Sequence, residues 1–241
     1  MHVWKTLAAS CLAVALTPAA AAVARTPADV PDFAALHLNG TAKVATVHPS
    51  GNRVLRLTGG GFRQAGSAWA ADPIDVTRSF HTTFEAHLHH GASGADGIAF
   101  VLQTAGPRAL GGWGGGLGYR GLHGSLAVEF DDHRNERDPD ADHVALVLNG
   151  NPDYHAAQAP AGTPLFGRPF EAHVAYDAAA GRLTVHLGHR QLLDQRVNLA
   201  EHLGSDTAWA GFTGATGERI SKQDIRYWTL TSQDTTAAPE G

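Results

Sequence analysis

The sequence predicts an all-β fold, an antiparallel sandwich built from strands that each bury one face. Three observations support this: apolar residues recur with a period of two, short glycine groups separate these runs, and helical periodicity is nearly absent. The chain has 241 residues, of which 28 are glycine and 43% are hydrophobic, so a sizeable core with many tight turns can form. One domain of this size is within the range of β-sandwiches.

The alternating segments are spread along most of the chain. Apolar and polar side chains alternate, as in strands with one buried face, in residues 53–58, 79–90, 170–177 and 182–187. Residues 98–102 and 144–148 are apolar almost throughout, which indicates central strands covered on both sides. A single helical turn is predicted at residues 198–203, with Asn198 as its cap.

The first 24 residues have the features of an export signal. Lys5 lies before an apolar stretch, and Ala22-Val23-Ala24 matches a signal-peptide cleavage site. We predict a signal peptide at 1–24, a linker at 25–32, one domain at 33–231 and a polar tail at 232–241. Export would place the protein in an extracellular or periplasmic location. Cleavage would remove Cys11, the only cysteine, so the mature chain would contain no disulfide.

Charge and hydropathy argue against several classes of function. The formal net charge is -5, so the chain lacks the basic character that nucleic-acid binding requires. The apolar stretch of the signal is short and Pro18 interrupts it, so we expect no membrane span after cleavage. The motifs of serine hydrolases, P-loop nucleotide-binding proteins and zinc proteases are missing from the sequence. The oligomeric state is left open.

The segment between Ser125 and His143 contains the residues most suited to chemistry. On a strand, Glu129 and Asp131 project from one face, whereas Val128 and Phe130 project from the other, into the core. Two neighbouring carboxylates repel each other, so they require a cation or a shared proton. The loop that follows adds further potential ligands, namely Asn135, Asp138, Asp140 and His143.

These ligand types indicate two metal ions. An imidazole with three carboxylates suits a transition ion such as Mn²⁺. Carboxylates together with an asparagine carbonyl and a backbone carbonyl form the oxygen shell that Ca²⁺ prefers. An acidic surface loop without any metal explains the same residue types equally well, and residue types alone leave both interpretations open.

The spacing of this segment resembles the metal-binding signature of the L-type (legume-type) lectin family, V-E-F-D-x-x-x-N-x-x-D-P-x-x-x-H. Every defined position matches: Val128, Glu129, Phe130, Asp131, Asn135, Asp138, Pro139 and His143. Residues 95–100 and 114–118 resemble the family's A-D-G-[IL]-A-F and G-G-x-L-G motifs, and residues 210–217 are similar to its V-G-F-S-A-x-T-G motif. Trp228 lies where the family's last strand carries tryptophan.

The resemblance covers nearly the whole mature chain and implies a concanavalin-A-like jelly-roll β-sandwich. It also implies a site for Ca²⁺ and a site for a transition metal, for which the ligand types favour Mn²⁺. The residues it implies for the transition metal are Glu129, Asp131, Asp138 and His143. Those it implies for Ca²⁺ are Asp131, the backbone carbonyl of His133, Asn135 and Asp138.

The resemblance also implies a non-catalytic glycan-binding pocket beside the calcium ion. Asp96 would accept hydrogen bonds from two sugar hydroxyls, and the Ala95–Asp96 peptide bond would be cis. The Gly115 N–H and the Asn135 amide would donate to the sugar. The residues that would tune specificity are Glu218 and Arg219 in one loop and His133 in another.

Two positions depart from the family pattern. His133 replaces an aromatic residue that usually stacks on the sugar ring, and Asp132 replaces the usual threonine. Trp113, in the glycine-rich loop, offers another aromatic surface.

Two alternative functions remain open from the sequence. A retaining glycoside hydrolase on a similar fold needs two carboxyl groups about 5–5.5 Å apart, and Glu129 with Asp131 would approximate that spacing. Such enzymes commonly carry E-x-D-x-E, whereas this chain has His133 at the last position. The other alternative is a metal-stabilised scaffold for adhesion or assembly that does not bind sugar. We favour the non-catalytic lectin.

Overall fold

Two antiparallel sheets packed face to face make up the computed structural model, which describes residues 33–91 and 94–232. The strands are β1 His37–Gly40, β2 Lys43–Thr46, β3 Arg53–Gly59, β4 Ala65–Trp69, β5 Ile74–Asp75, β6 Phe80–His89, β7 Gly97–Gln103, β8 Ser125–Asp131, β9 His143–Leu148, β10 His155–Pro160, β11 Phe170–Asp177, β12 Arg182–Leu187, β13 Arg190–Arg196, β14 Thr207–Ala215 and β15 Lys222–Ser232. The prediction of an all-β antiparallel sandwich is confirmed.

We call the two sheets the front sheet and the back sheet. The front sheet has the order β1-β4-β14-β7-β8-β9-β10, with β5 paired to β14. The back sheet has the order β13-β12-β11-β6-β15-β3-β2. Neighbours in space are frequently distant in sequence, as in a jelly roll.

The predicted helical turn is present, whereas the predicted terminal segments are not described by the structure. The helix α1 covers Leu199–Leu203, and the Asn198 side chain accepts a hydrogen bond from the Glu201 N–H, as the predicted cap requires. None of the described helices is long and apolar enough to cross a membrane. The predicted signal peptide, the linker and the tail from residue 233 onward lie outside the described residues.

Aromatic side chains from both sheets fill the space between them. The Phe84 ring on β6 lies 5.4 Å from that of Phe130 and 4.9 Å from that of Phe212, in edge-to-face contacts. Phe212 in turn contacts Trp228, at 5.1 Å between ring centroids. Because Phe130 on β8 faces this core, its sequence neighbours Glu129 and Asp131 face the outer side of the front sheet.

The outer side of the front sheet is also covered. A second apolar cluster, which includes Trp69, Tyr119, Ala127, Ala145 and Val147, is buried there. The Trp69 indole N–H donates to the backbone carbonyl of Ala109, which ties the covering loop to the sheet. The carboxylates of β8 are therefore held beneath loops, as the apolar character of the central strands predicts.

The back sheet contains a buried ion pair remote from the acidic segment. The Asp224 carboxylate on β15, which is 2% exposed, accepts two hydrogen bonds of 2.7 Å from the Arg56 guanidinium on β3. His89 Nε2 lies 2.9 Å from the same carboxylate. Burial alone raises the pKa of Asp224, but the hydrogen bonds from Arg56 and His89 outweigh it, and the net pKa lies below its usual value.

We predict that Asp224→Asn lowers the free energy of unfolding at pH 7 by about 3 kcal/mol, because it leaves a largely buried guanidinium without its partner. A lowered folded-state pKa means that the stabilisation is present above the unfolded-state pKa, 3.8, and is lost as the pH falls below it. Urea unfolding at pH 7 and pH 3 should therefore show that acid lowers the free energy of unfolding less in the variant than in the wild-type protein. The matched control is Asp194→Asn, which removes an exposed salt bridge between Asp194 and Arg182. It should leave the free energy of unfolding nearly unchanged.

Candidate functional site

Strand β8 is an interior strand of the front sheet and places its two carboxylates between β7 and β9. Asp131 lies opposite Gly97 on β7 and opposite His143 on β9. Glu129 lies opposite two alanines, Ala99 and Ala145. The small neighbours leave space above the carboxylates, and the register puts His143 directly beside Asp131.

The loop after β8 folds back over the strand and brings a third carboxylate to the same place. Asp131 accepts a 2.6 Å hydrogen bond from the His133 N–H, and Asp138 accepts one of 2.6 Å from the Asn135 N–H. Asp138 Oδ1 then lies 3.6 Å from His143 Nε2. We call the buried group that results the acidic cluster; it consists of Glu129, Asp131, Asp138 and His143, whose exposed fractions are 2%, 4%, 8% and 1%.

The electrostatics of the acidic cluster are unfavourable without a positive partner. Burial, followed by the negative charge of Glu129, raises the pKa of Asp131 well above its usual range. The Tyr119 hydroxyl donates a hydrogen bond to Glu129, and burial next to that carboxylate raises the pKa of Tyr119 as well. The three neighbouring carboxylates thus favour either a proton or a cation between them.

His143 provides the test of whether these residues fit a cation. Both of its ring nitrogens are buried, and neither forms a hydrogen bond with any part of the chain that the structure describes. Buried polar atoms normally have partners. A neutral imidazole is a common metal ligand, so the bare nitrogens beside three carboxylate side chains fit a divalent ion well.

The structure adds one histidine that the sequence analysis missed. His155, at the start of β10, places Nε2 3.4 Å from Glu129 Oε2, and its Nδ1 lies 2.6 Å from the Gln158 side-chain oxygen. The hydrogen bond with Glu129 is the main cause that raises the pKa of His155 to about 9. The potential ligand atoms of Glu129, His143 and His155 all lie within 4.8 Å of one another.

A second pocket adjoins the acidic cluster, and we call it the Asp96 pocket. Its lining includes most of the predicted sugar-binding residues, namely Asp96, Gly115, His133, Glu218 and Arg219, together with Trp113. Gly115 also lines the cavity above the acidic cluster, where Asn135 lies. The structure thus brings all predicted metal and carbohydrate residues to one end of the front sheet.

Asp96 is the buried acceptor of this pocket. It is 8% exposed, and its Oδ2 atom is buried without a hydrogen-bond partner among the described residues. Burial raises the pKa of Asp96, and nearby His133, the Gly217 N–H and Arg219 partly offset that rise. The Ala95–Asp96 bond is cis, as the resemblance implies.

The backbone links Asp96 to the loop that covers the acidic cluster. The Asp132 N–H donates a 3.2 Å hydrogen bond to the Asp96 carbonyl oxygen. The carboxyl oxygens of Asp132 are buried, and burial followed by the charges of Asp142 and Asp96 raises the pKa of Asp132 to about 7. Near neutral pH, Asp132 therefore adds less negative charge beside Asp96 than a fully ionised aspartate would.

The rim of the Asp96 pocket is more exposed. Trp113 is 50% exposed, and the Arg63 guanidinium lies 5.2 Å from the centre of its ring. Arg63 also pairs with Glu218 at 2.5 Å, so the carboxylate of Glu218 is engaged at the rim. Trp113 and His133 thus both contribute rings to the lining of the Asp96 pocket.

Comparison with known protein families assigns the chain to a family. A family model described as the legume lectin beta-barrel domain matches residues 29–229. The chain belongs to the L-type lectin family. This lectin is 30% identical over 227 residues to a probable L-type lectin-domain containing receptor kinase of Arabidopsis thaliana. The alignment covers 81% of this chain and 33% of the kinase. It is also 30% identical over 152 residues to a seed lectin of Styphnolobium japonicum, across 57% of this chain and 51% of the relative.

Solved structures agree on the fold. A lectin from Bauhinia forficata in complex with GalNAc aligns with a TM-score of 0.72 at 25% identity, over 86% of this chain and 96% of the other. The predicted jelly-roll sandwich is thereby confirmed. The family model that matches residues 29–229 describes a lectin domain and not an enzyme domain, so the prediction of a non-enzymatic domain is confirmed for these residues. The chain spans a third to a half of the length of the two relatives described above.

Proposed function

We propose that this lectin binds glycans in the Asp96 pocket, that binding depends on divalent cations in the neighbouring acidic cluster, and that the protein acts after export. The observation that carries the proposal is the buried Asp96 Oδ2 atom, which has no hydrogen-bond partner among the described residues and belongs to the lining of an open pocket. A buried acceptor without a partner costs free energy, and a sugar hydroxyl is a donor that would supply one.

The polar groups around Asp96 support recognition of a hydroxyl-rich ligand. Hydrogen bonds to a carboxylate are roughly twice as strong as those between neutral groups. The Gly115 N–H and the Asn135 amide would donate to sugar oxygens, and His133 with Trp113 would contact a ring face. The Glu218 and Arg219 loop borders the pocket and would tune which sugar fits.

The acidic cluster would hold the cations. Glu129, Asp131, Asp138 and His143 would bind a transition ion, for which this ligand set indicates Mn²⁺. Asp131, the His133 carbonyl, Asn135 and Asp138 would bind Ca²⁺. The ions would supply the positive charge that the buried carboxylates require, and would thereby fix the loop that carries His133 and Asn135.

The contacts of the carboxylates argue against the hydrolase alternative. Glu129 is buried and in contact with Tyr119 and His155, and Asp131 accepts the His133 N–H. A nucleophile or general acid needs access to substrate, whereas Glu129 and Asp131 are only 2% and 4% exposed.

A glycan array tests the proposal. We expect the purified protein, loaded with Ca²⁺ and Mn²⁺, to bind a defined group of glycans, and GalNAc-terminated glycans are a suitable first set because the Bauhinia lectin binds that sugar. The signal should be inhibited by the free sugar. A folded, metal-loaded protein that binds no glycan would contradict the proposal and favour a metal-stabilised scaffold.

A further inference from the structure

His155 occupies a position from which it can reach the same ion as His143. On β9, His143 and Val147 project to the same side, with Ala145 between them, and Ala145 is the cross-strand neighbour of Glu129. His155 is paired with Val147 across the β9–β10 ladder. The two imidazoles therefore approach from either side of the small Ala145 side chain, and their ring centroids lie 5.6 Å apart.

The distances between ligand atoms are those of one coordination sphere. Two ligands that each lie about 2.1 Å from a metal ion are at most about 4.2 Å apart. His155 Nε2 is 3.4 Å from Glu129 Oε2, and His143 Nε2 is 3.6 Å from Asp138 Oδ1. The potential ligand atoms of Glu129, His143 and His155 all lie within 4.8 Å of one another, so small side-chain movements would bring all three onto a single ion.

We infer that His155 is a direct ligand of the transition metal, in addition to Glu129, Asp131, Asp138 and His143, and that it shifts the preference of the site from Mn²⁺ toward Zn²⁺. This inference rests on the proposed function, in which the acidic cluster holds a cation. The chemical reason is that Mn²⁺ suits oxygen ligands, whereas a second imidazole favours the later transition ions. The four residues implied by the resemblance contain one imidazole, and His155 doubles that number.

A metal competition tests the assignment. The protein is freed of metal, exposed to equal concentrations of Mn²⁺ and Zn²⁺, and its bound metals are measured by elemental mass spectrometry, with titrations of each ion for the affinities. We expect His155→Ser to lower the Zn²⁺ affinity by about tenfold or more while the Mn²⁺ affinity changes much less. The absorption bands of bound Co²⁺ should also shift, because one nitrogen ligand is lost.

The matched control is His173→Ser on the back sheet. His173 Nε2 lies 3.0 Å from Glu171 Oε1, so this variant removes another histidine beside a glutamate without touching the acidic cluster. It should leave both affinities unchanged. A second variant, His155→Asn, keeps a polar side chain at the edge strand and should show the same loss of Zn²⁺ preference, which guards against an effect of misfolding.

Several outcomes would overturn the inference. An unchanged ratio of Zn²⁺ to Mn²⁺ affinity in His155→Ser, with the wild-type protein still binding metal, refutes the role of His155 and leaves the proposed function intact. Increased affinity for both ions would show that His155 only neutralises Glu129. Failure of the wild-type protein to bind any divalent ion would refute both the inference and the metal dependence of the proposed function.

Discussion

Removal of divalent cations is expected to lower glycan affinity by about 100-fold, a coupling free energy of about 3 kcal/mol. Without cations, we expect the buried carboxylates of Glu129, Asp131 and Asp138 to repel one another and the loop over them to lose its fixed position. That loop carries His133 and Asn135, and the Asp132 N–H joins it to the Asp96 carbonyl oxygen. Loss of the ions would therefore disturb the Asp96 pocket in two ways: through His133, which lines the pocket, and through the hydrogen bond between Asp132 and Asp96.

Calorimetric titration with an array-identified sugar, before and after chelation, measures this effect. The same samples should differ in melting temperature, since an ion at 1,000 times its dissociation constant stabilises the folded state by about 4 kcal/mol. Return of Ca²⁺ and the transition ion must restore both properties, which controls for damage by the chelator. Equal glycan affinity with and without metal would refute the coupling between the two sites.

Asp96→Asn should reduce glycan affinity by about 100-fold or more at unchanged metal content. Each hydrogen bond from a sugar hydroxyl to the carboxylate contributes about 1.5–3 kcal/mol, and the proposal assigns two of them to Asp96. The asparagine retains the size of the side chain but replaces one acceptor oxygen by a donor group. A donor facing a hydroxyl proton leaves both groups without a partner in a largely buried position.

The control for this variant is Glu218→Gln at the rim of the same pocket. Glu218 is paired with Arg63 in an exposed position, with side chains 77% and 61% accessible, so its charge contributes little free energy. We expect at most a few-fold change in affinity for Glu218→Gln. If Asp96→Asn binds as tightly as the wild-type protein, Asp96 is not the principal acceptor and the glycan site must lie elsewhere.

The fold was largely accessible from sequence because alternation is a local signal. Strand β6 and strands β11 and β12 alternate apolar and polar side chains, so their buried faces are determined residue by residue. The almost entirely apolar β7 and β9 are buried on both sides, as their composition indicates. The Asn198 cap was likewise visible in a few consecutive residues.

The acidic cluster was accessible for a related reason. Glu129 and Asp131 are two residues apart on one strand, and His143 begins the next strand, so strand pairing alone brings them together. His155 lies 12 residues farther on, and a register irregularity in β10 directly follows it. Its approach to Glu129 depends on that irregularity and on the length of the connecting loop, neither of which leaves a pattern in the sequence.

Contacts between segments that are distant in the chain could not be predicted from the sequence either. Arg56 and Asp224 are 168 positions apart and meet only because β3 and β15 are neighbours in the back sheet. The contact of Arg63 with Glu218, 155 positions away, likewise depends on how two loops pack. Such pairs follow from strand order, and the alternation within each strand contains no information about strand order.

The most direct test of the central claim is anomalous X-ray diffraction from crystals of the metal-loaded protein. We expect a strong anomalous peak within coordination distance, about 2.0–2.3 Å, of the side-chain ligand atoms of Glu129 and His143. A second cation should lie beside Asp131, Asn135 and Asp138. Diffraction from fully loaded crystals that shows no cation density among these side chains, or shows the metals bound elsewhere, would contradict the account.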